Sequence, residues 1–339
     1  MTNPVHIAYF VLALTLVLVG VLHLGAPLLA LLFSYFALRK FLSLTKRKWL
    51  ALFLFVLLVA GIAFCAAYFT RVAVKALPEA AEHSIPSASA WAEAREITLP
   101  FTDFDSLKAL VINSLKEEAH YLSNVARLAG NTSTALVFIL IGIVAAISLF
   151  FNSQLDLYRQ SHPTKNNLYS VLSKQISERF RDFYRSFATV MGAQITISLI
   201  NTFLTALFVL IVRLPYAPLV IAVTFLCGLL PIVGNLISNV IIVCLAFTIS
   251  FKVALIALGF LVAIHKLEYF LNSKIIGDRI RNPIWLTLLA LIIGERLMGI
   301  PGMVLAPVVL NYLRLELSKI EVPRASGGGS GDSPPALRT

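Results

Sequence analysis

The stretch PLVIAVTFLCGLLPIVGNLISNVIIVCLAFTIS, residues 218–250, decides the fold class of this chain. Two mostly apolar arms, 218–230 and 236–250, flank Pro231-Ile232-Val233-Gly234-Asn235. An arm of about 14 residues makes roughly 21 Å of helix, whereas the membrane core is about 30 Å thick. The proline lacks a backbone donor and the glycine permits a tight reversal. We therefore predict a helical hairpin that enters and leaves the membrane on one side.

A second apolar block repeats this pattern near the end of the chain. Residues 285–298 and 303–313 flank Gly299-Ile300-Pro301-Gly302, and Pro307 interrupts the return arm. Non-helical backbone at membrane depth persists only inside protein or beside a wet cavity. Two Gly/Pro-broken segments point to the substrate site of a transporter. Two kinked spans are the alternative, but the pattern favours two re-entrant hairpins with their tips on a substrate path.

The composition excludes an ordinary soluble protein. Of 339 residues, 58% are hydrophobic and only 13% are charged, whereas soluble domains have about 25% charged residues. The net charge of +11 comes from Lys and Arg gathered in a few loops. Basic loops beside apolar spans are typical of the cytoplasmic side of a membrane, so we expect no nucleic-acid partner.

Apolar runs and charged segments divide the chain into five parts. The charges alternate: residues 39–48 hold five cations and no acid, residues 71–133 hold eight acids and six bases, and residues 152–187 hold six bases and three acids. The acidic segment is predicted outside, and the basic segments and both termini in the cytoplasm. The parts are N-terminal transmembrane helices in 1–70, an extracytoplasmic helical insert in 71–133, a transmembrane helix and a cytoplasmic amphipathic helix in 134–187, a transport core in 188–316 and a disordered tail in 317–339.

Two segments outside the spans have helical apolar stripes. Residues 103–128 predict an external helix that packs on the membrane surface or on a neighbouring subunit, with a ligand-binding cap as the alternative. Residues 166–187 predict a basic, aromatic helix in the interface of an anionic leaflet, with gating or partner binding as alternatives. Both are amphipathic interfacial helices in this interpretation.

A polar stripe runs along the predicted span 188–212. Its members fall at i, i+4, i+7 and i+11, which is one face of a helix. Such a stripe either hydrogen-bonds a neighbouring helix or forms the polar wall of a substrate path, and the two roles are compatible. The residues are Gln194, Ser198, Asn201 and Thr205.

Few charges lie inside the apolar blocks. Glu268 closes the apolar run 253–268, and it either takes part in transport or pairs with Lys266 or Arg279 at the interface. A charge at bilayer depth is costly and is usually functional. The candidates for ion or proton coupling are Glu268, Arg279, Glu295 and Arg296.

The C-terminal third resembles the autoinducer-2 exporter family, also called PerM-like permeases. The matching pieces, in order, are Leu230-Pro231-Ile232-Val233-Gly234, Lys266-Leu267-Glu268, Ile275-Ile276-Gly277-Asp278-Arg279, Pro283, Leu289 to Gly294, Met298-Gly299-Ile300-Pro301-Gly302 and Leu305-Ala306-Pro307. Ser273 and Pro301 depart from the usual family residues. The resemblance implies a bacterial inner-membrane transporter with about eight membrane segments, two re-entrant hairpins and a homo-oligomeric, pentameric assembly. It also implies export of autoinducer-2 or Na⁺(Li⁺)/H⁺ antiport.

These features predict a transporter that exports small polar molecules. The chain has no GxxxxGK[ST] nucleotide loop, so transport is expected to be downhill or ion-coupled. An antiporter that uses Glu268 is the first alternative, and a non-transporting membrane scaffold is the second. HExxH and GxSxG are absent, so we expect neither an enzyme nor a cofactor. The expected partners are the lipid bilayer, a small molecule or monovalent cation, and other copies of the chain.

Overall fold

The computed structural model describes residues 4–93, 106, 132–152, 167–230, 233–276 and 283–319. Within these ranges all regular secondary structure is helical, which confirms the predicted all-α class. The helices are α1 (Pro4–Val21), α2 (Gly25–Thr45), α3 (Lys48–Glu93), α4 (Thr132–Phe151), α5 (Leu168–Val212), α6 (Ala217–Gly228), α7 (Val233–Phe247), α8 (Phe251–Ile276), α9 (Ile284–Met298) and α10 (Ile300–Leu317).

The break between α1 and α2 lies slightly before Gly25 and Pro27, where the sequence predicts it. The chain turns at residues 22–24, where His23 has a φ of 53°. Pro27 then lies in the first turn of α2, where a missing N–H is tolerated. Helix α2 continues to Thr45, so most of the basic segment 39–48 is helical rather than loop.

Helices α2, α3 and α4 pack together around a cluster of buried apolar side chains. Leu38, Ala51, Phe55 and Phe150 form its centre. Helix α4 lies so close to α2 that a Cβ added at Gly142 would overlap a backbone carbonyl oxygen of α2. Helix α3 does not end at the predicted start of the insert, residue 71, but continues to Glu93. The alanines beyond residue 71 favour a helix, but Pro78 and Pro86 also lie within it and each removes a backbone donor.

Helix α5 joins two elements that the sequence treats separately. The predicted cytoplasmic amphipathic segment and the span 188–212 form one helix of 45 residues. The Asn167 side chain caps its start by accepting a hydrogen bond of 2.8 Å from the Ser170 backbone N–H. Between Leu168 and Gly192 there is no glycine or proline, so no residue with an unusual backbone ends the first segment. The two predicted elements are therefore one continuous helix, and no break in it marks residue 187.

The first hairpin, α6 and α7, packs against α5 and α8. Their shared core includes Val209 of α5, Val220 of α6, Ile242 of α7 and Ala257 of α8. Phe208 and Phe260 stack across the α5–α8 contact with ring centroids 4.1 Å apart. This packing places the polar stripe of α5 beside the hairpin.

The second hairpin, α9 and α10, turns more tightly than predicted. Gly299 separates the two helices, with a φ of 64° that favours glycine. Pro301 and Gly302 belong to the first turn of α10, and α10 runs through Pro307 to Leu317. The prediction that Pro307 interrupts a short return arm is therefore wrong. Packing along the whole of α10 keeps the helix continuous despite the lost backbone hydrogen bond.

Among the described residues, four helical segments are long and apolar enough to cross a membrane, judged by length and composition. They are Gly25–Thr45, Lys48–Val72, Leu168–Val212 and Ile300–Leu317, and shorter apolar helices accompany them. This pattern fits a multi-pass membrane protein. Pro231, Arg279, the tail from 320 and most of the predicted helix 103–128 lie outside the described residues.

Candidate functional site

The first half of the polar stripe holds the end of α6. Gln194 donates a hydrogen bond of 2.7 Å from Nε2 to the carbonyl oxygen of Gly228. Ser198 donates one of 2.8 Å to the carbonyl oxygen of Phe225. The last carbonyls of a helix have no partner within that helix, so these side chains satisfy acceptors that the hairpin leaves open. Here the stripe acts as a connection between helices.

The tip of the first hairpin brings α6 and α7 into close backbone contact. Gly234 lies at the start of α7, and a Cβ added there would overlap the backbone carbonyl of Cys227. A larger residue would therefore push the two arms apart. Asn235, the next residue, donates a hydrogen bond from Nδ2 to Oε2 of Glu268. The hairpin tip is thereby joined to α8.

A polar cleft lies between α5, the first hairpin and α8. It is narrow: its cavity volume is about 10 Å³, which is about one water-sized sphere, and it is partly open to the surroundings. The second half of the polar stripe, Asn201 and Thr205, lines this cleft, and both residues are buried. The described residues that line it are Asn201, Thr205, Thr224, Asn235, Ser238, Asn239, Ile242, Leu261, Ile264, His265 and Glu268.

Glu268 gives the cleft its negative charge. The side chain is 15% exposed, and His265 Nδ1 lies 3.9 Å from its Oε2. The described contacts of the carboxylate are therefore with Asn235 and His265, and Lys266 is exposed on the same helix. This differs from the alternative in which Glu268 pairs with Lys266. A carboxylate with amides and hydroxyls can bind a small polar solute or a hard cation.

The other predicted site residues lie away from this cleft. A Cβ added at Gly302 would overlap the backbone carbonyl of Gly294, so the glycine pair lets α9 and α10 touch. Pro301 approaches Gly25 of α2 closely enough that a Cβ added at that glycine would lie 2.8 Å from the proline Cβ. Glu295 and Arg296 are exposed on α9 and do not line the cleft.

The two hairpins nevertheless meet in one apolar cluster. Leu230 from the tip of the first hairpin and Met298 from the tip of the second both pack against it. Phe187 of α5 and Leu305 of α10 are among its fully buried members. Contacts around either tip therefore reach the other through shared side chains.

Sequence reasoning missed part of the cleft. Thr224, Ser238 and Asn239 line it but were not among the predicted residues. Ser238 and Asn239 could have been predicted, because they follow Asn235 at helical spacing in an otherwise apolar arm.

Sequence reasoning also missed a buried ionic cluster that joins α1, α5 and α10. Glu316 of α10 is 5% exposed. Its Oε2 accepts a hydrogen bond of 2.8 Å from the Tyr9 hydroxyl and one of 2.5 Å from Arg179 Nη1. The Arg179 guanidinium also lies 4.5 Å from the centre of the Tyr9 ring. One carboxylate therefore holds the start of the chain, the long helix and the end of the second hairpin.

Lys319 completes the ionic cluster just beyond α10. Its Nζ donates to Asp182 Oδ2 at 2.8 Å and to Glu316 Oε1 at 2.9 Å. Partial burial lowers the pKa of Lys319, but the hydrogen bonds that its ammonium donates to the Asp182 and Glu316 carboxylates, together with their negative charges, raise it by more, so the net shift is upward. The ammonium therefore stays charged at neutral pH.

Comparison with known proteins places the chain in a transporter family. A family model described as "AI-2E family transporter" matches residues 7–314. The curated "Putative transport protein YdbI" of Bacillus subtilis (strain 168) is 26% identical over 220 residues, which are 64% of this chain and 60% of that relative. The chain thus covers less than two thirds of the relative's length. The family match spans both hairpins, the stripe and the cleft.

Proposed function

Since this chain belongs to the AI-2E transporter family, we propose that it is a secondary transporter that exports small polar molecules. The observation that carries this proposal is the polar cleft, in which the stripe of α5, the tip of the first hairpin and Glu268 come together. The substrate class to test first is furanones of the autoinducer-2 type. Hydroxyl and amide groups in the lining suit a neutral solute rich in hydroxyl groups.

The hairpins supply the second part of the proposal. Helices α6 and α7 have 12 and 15 residues, which correspond to about 18 and 22 Å. Both are shorter than the membrane core of about 30 Å, which supports re-entry of the first hairpin. The second hairpin differs, because α10 is long and apolar enough to cross the membrane. Its proposed re-entry rests on the turn at Gly299 and on α9, which has 15 residues. We propose that the tips close the substrate path and that movement of a tip opens it.

A liposome flux assay tests the function directly. Purified protein in sealed liposomes is expected to release a loaded furanone faster than protein-free liposomes do. Glu268→Gln keeps the shape and much of the hydrogen bonding of the side chain, so the flux should weaken rather than vanish. The exposed Glu295→Gln is the matched control and should retain the wild-type rate. Equal rates for wild-type and protein-free liposomes across the furanones tested would contradict the proposal.

Cation/proton antiport is the second candidate because Glu268 lies in the cleft with little exposure to water. An antiporter needs a group that is alternately protonated and ion-bound. In this case Glu268→Gln should abolish sodium flux driven by a pH gradient, not merely weaken it. Liposomes that show neither furanone nor sodium flux would favour the non-transporting scaffold instead.

A further inference from the structure

Three buried polar atoms around the Arg179–Glu316 pair have no hydrogen-bond partner among the described residues. They are Gln175 Oε1, Arg179 Nε and the Tyr312 hydroxyl. Gln175 lies one helical turn before Arg179 in α5, and Tyr312 lies one turn before Glu316 in α10. Buried polar atoms are nearly always paired. Three exceptions beside one ion pair indicate that the pair has a second arrangement.

Two of these atoms are complementary and belong to the same helix. Gln175 Oε1 can only accept a hydrogen bond, and Arg179 Nε can only donate one. Residues four positions apart on a helix are neighbours on its surface, so a change of side-chain rotamer can join them. In the structure the guanidinium instead donates from Nη1 to Glu316, at 2.5 Å. Arg179 therefore has a second partner within reach.

The other charges of the ionic cluster also have partners on their own helices. Asp182 accepts a hydrogen bond of 3.2 Å from Arg185, and both belong to α5. Glu316 accepts one of 2.9 Å from Lys319, just beyond α10. Breaking a buried ion pair is costly because it leaves a charge without a partner. If α10 separates from α5, each charge in the cluster keeps or gains a partner on its own side, which avoids this cost.

The Arg179–Glu316 pair holds two elements against α5. Glu316 ends the return arm of the second hairpin, and it also accepts a hydrogen bond from the Tyr9 hydroxyl of α1. On α1, Ala8 and Leu12 are 1% and 4% exposed, and Leu12 packs in the apolar cluster with residues of α5 and α10. Breaking the ion pair would therefore loosen α1 and α10 together.

We propose that the Arg179–Glu316 pair is a latch with two positions. In the closed position, which the structure shows, Arg179 holds Glu316. In the open position Arg179 Nε donates to Gln175 Oε1, Glu316 keeps Lys319, and α1 and α10 move away from α5. Opening releases the return arm of the second hairpin. Its place in the transport cycle rests on the proposed function, whereas the two positions themselves do not.

The reactivity of a buried cysteine measures opening in the purified full-length protein. Ala8→Cys is introduced after the native cysteines are removed, and its labelling by a small methanethiosulfonate reagent is followed in detergent. Leu12→Cys, one turn further along the same face of α1, is the second probe should Ala8→Cys not fold. Gln175→Met removes the acceptor of the open position, and Gln175→Glu gives that acceptor a charge. Thr202→Val is the matched control, because its hydroxyl is also buried and unpaired in α5 but lies far along the helix from Arg179.

We expect Gln175→Met to slow labelling by about threefold or more, since the open position loses one hydrogen bond. Gln175→Glu should speed labelling by at least as much, because hydrogen bonds to a charged acceptor are stronger. Thr202→Val should leave the rate unchanged. Gln175→Met should retain the wild-type thermal midpoint, because its Oε1 has no partner to lose in the closed position. In liposomes, Gln175→Met should lower furanone flux by a similar factor.

Equal labelling rates for the wild type, Gln175→Met and Gln175→Glu would overturn the latch, even where furanone flux persists. Slower labelling with wild-type flux in Gln175→Met would remove the latch from the transport cycle. If the wild type shows no furanone flux while labelling still depends on Gln175, the proposed function ends and the two positions of the latch remain.

Discussion

Replacement of Glu316 by alanine should destabilise the protein strongly. The change leaves Arg179, whose side chain is 14% exposed, without its carboxylate, and it removes the acceptor of the Tyr9 hydroxyl. Removing one partner of a buried ion pair costs about 3–5 kcal/mol. Because Arg179 keeps some exposure and can recover part of its hydration, we expect a loss of about 3 kcal/mol. Unfolding by SDS in mixed micelles would measure it.

Two further variants separate this effect from general damage. Arg185→Ala breaks a pair in which the arginine side chain is 69% exposed, and exposed pairs contribute only about 0–1 kcal/mol. The double change Arg179→Met with Glu316→Leu removes both charges, and apolar replacement of a buried pair is often neutral or stabilising. It should therefore be more stable than Glu316→Ala.

A Glu316→Ala variant that loses no more stability than Arg185→Ala would contradict this prediction. A double variant as unstable as Glu316→Ala would also contradict it, because the loss would then not come from an uncompensated charge.

Three other predictions concern the hairpins and the topology. Gly302→Ala should lower the thermal midpoint because its Cβ would overlap the backbone of α9, whereas Gly259→Ala, with no atom within 4 Å of the new Cβ, should not; equal midpoints would contradict the close contact. Gln194→Leu should lower the free energy of unfolding by about 1–3 kcal/mol in SDS titrations, since a buried carbonyl loses its donor; no change would show that water replaces the amide. With the native cysteines removed, an impermeant thiol reagent should label a cysteine at Ser89 but not one at Thr164 in intact cells; the opposite pattern would invert the topology.

The helical elements could be predicted from apolar runs, but their ends could not. The run before Arg39 marks α2 correctly, yet charged residues do not end a helix when its backbone hydrogen bonds can continue. The same holds in α5, where the amphipathic pattern changes to an apolar one without a helix-breaking residue. Pro307 shows the opposite error, because packing retains a helix that local preference would break.

The cleft could be predicted in part. Glu268, Asn201 and Asn235 stand out as polar residues in apolar segments, and the structure brings all three to one place. Which of them touch depends on how the first hairpin folds back against α8, and no local pattern encodes that. The ionic cluster is harder still, since Arg179 and Glu316 are 137 positions apart.

The ionic cluster also constrains how the protein is made. Tyr9 and Glu316 are separated by 307 positions, so the ribosome must finish almost the whole chain before the first helix meets its partner. At about 5–20 residues per second, that interval is about 15–60 s. During biogenesis α1 must therefore remain without the contact that later anchors it until α10 has been made.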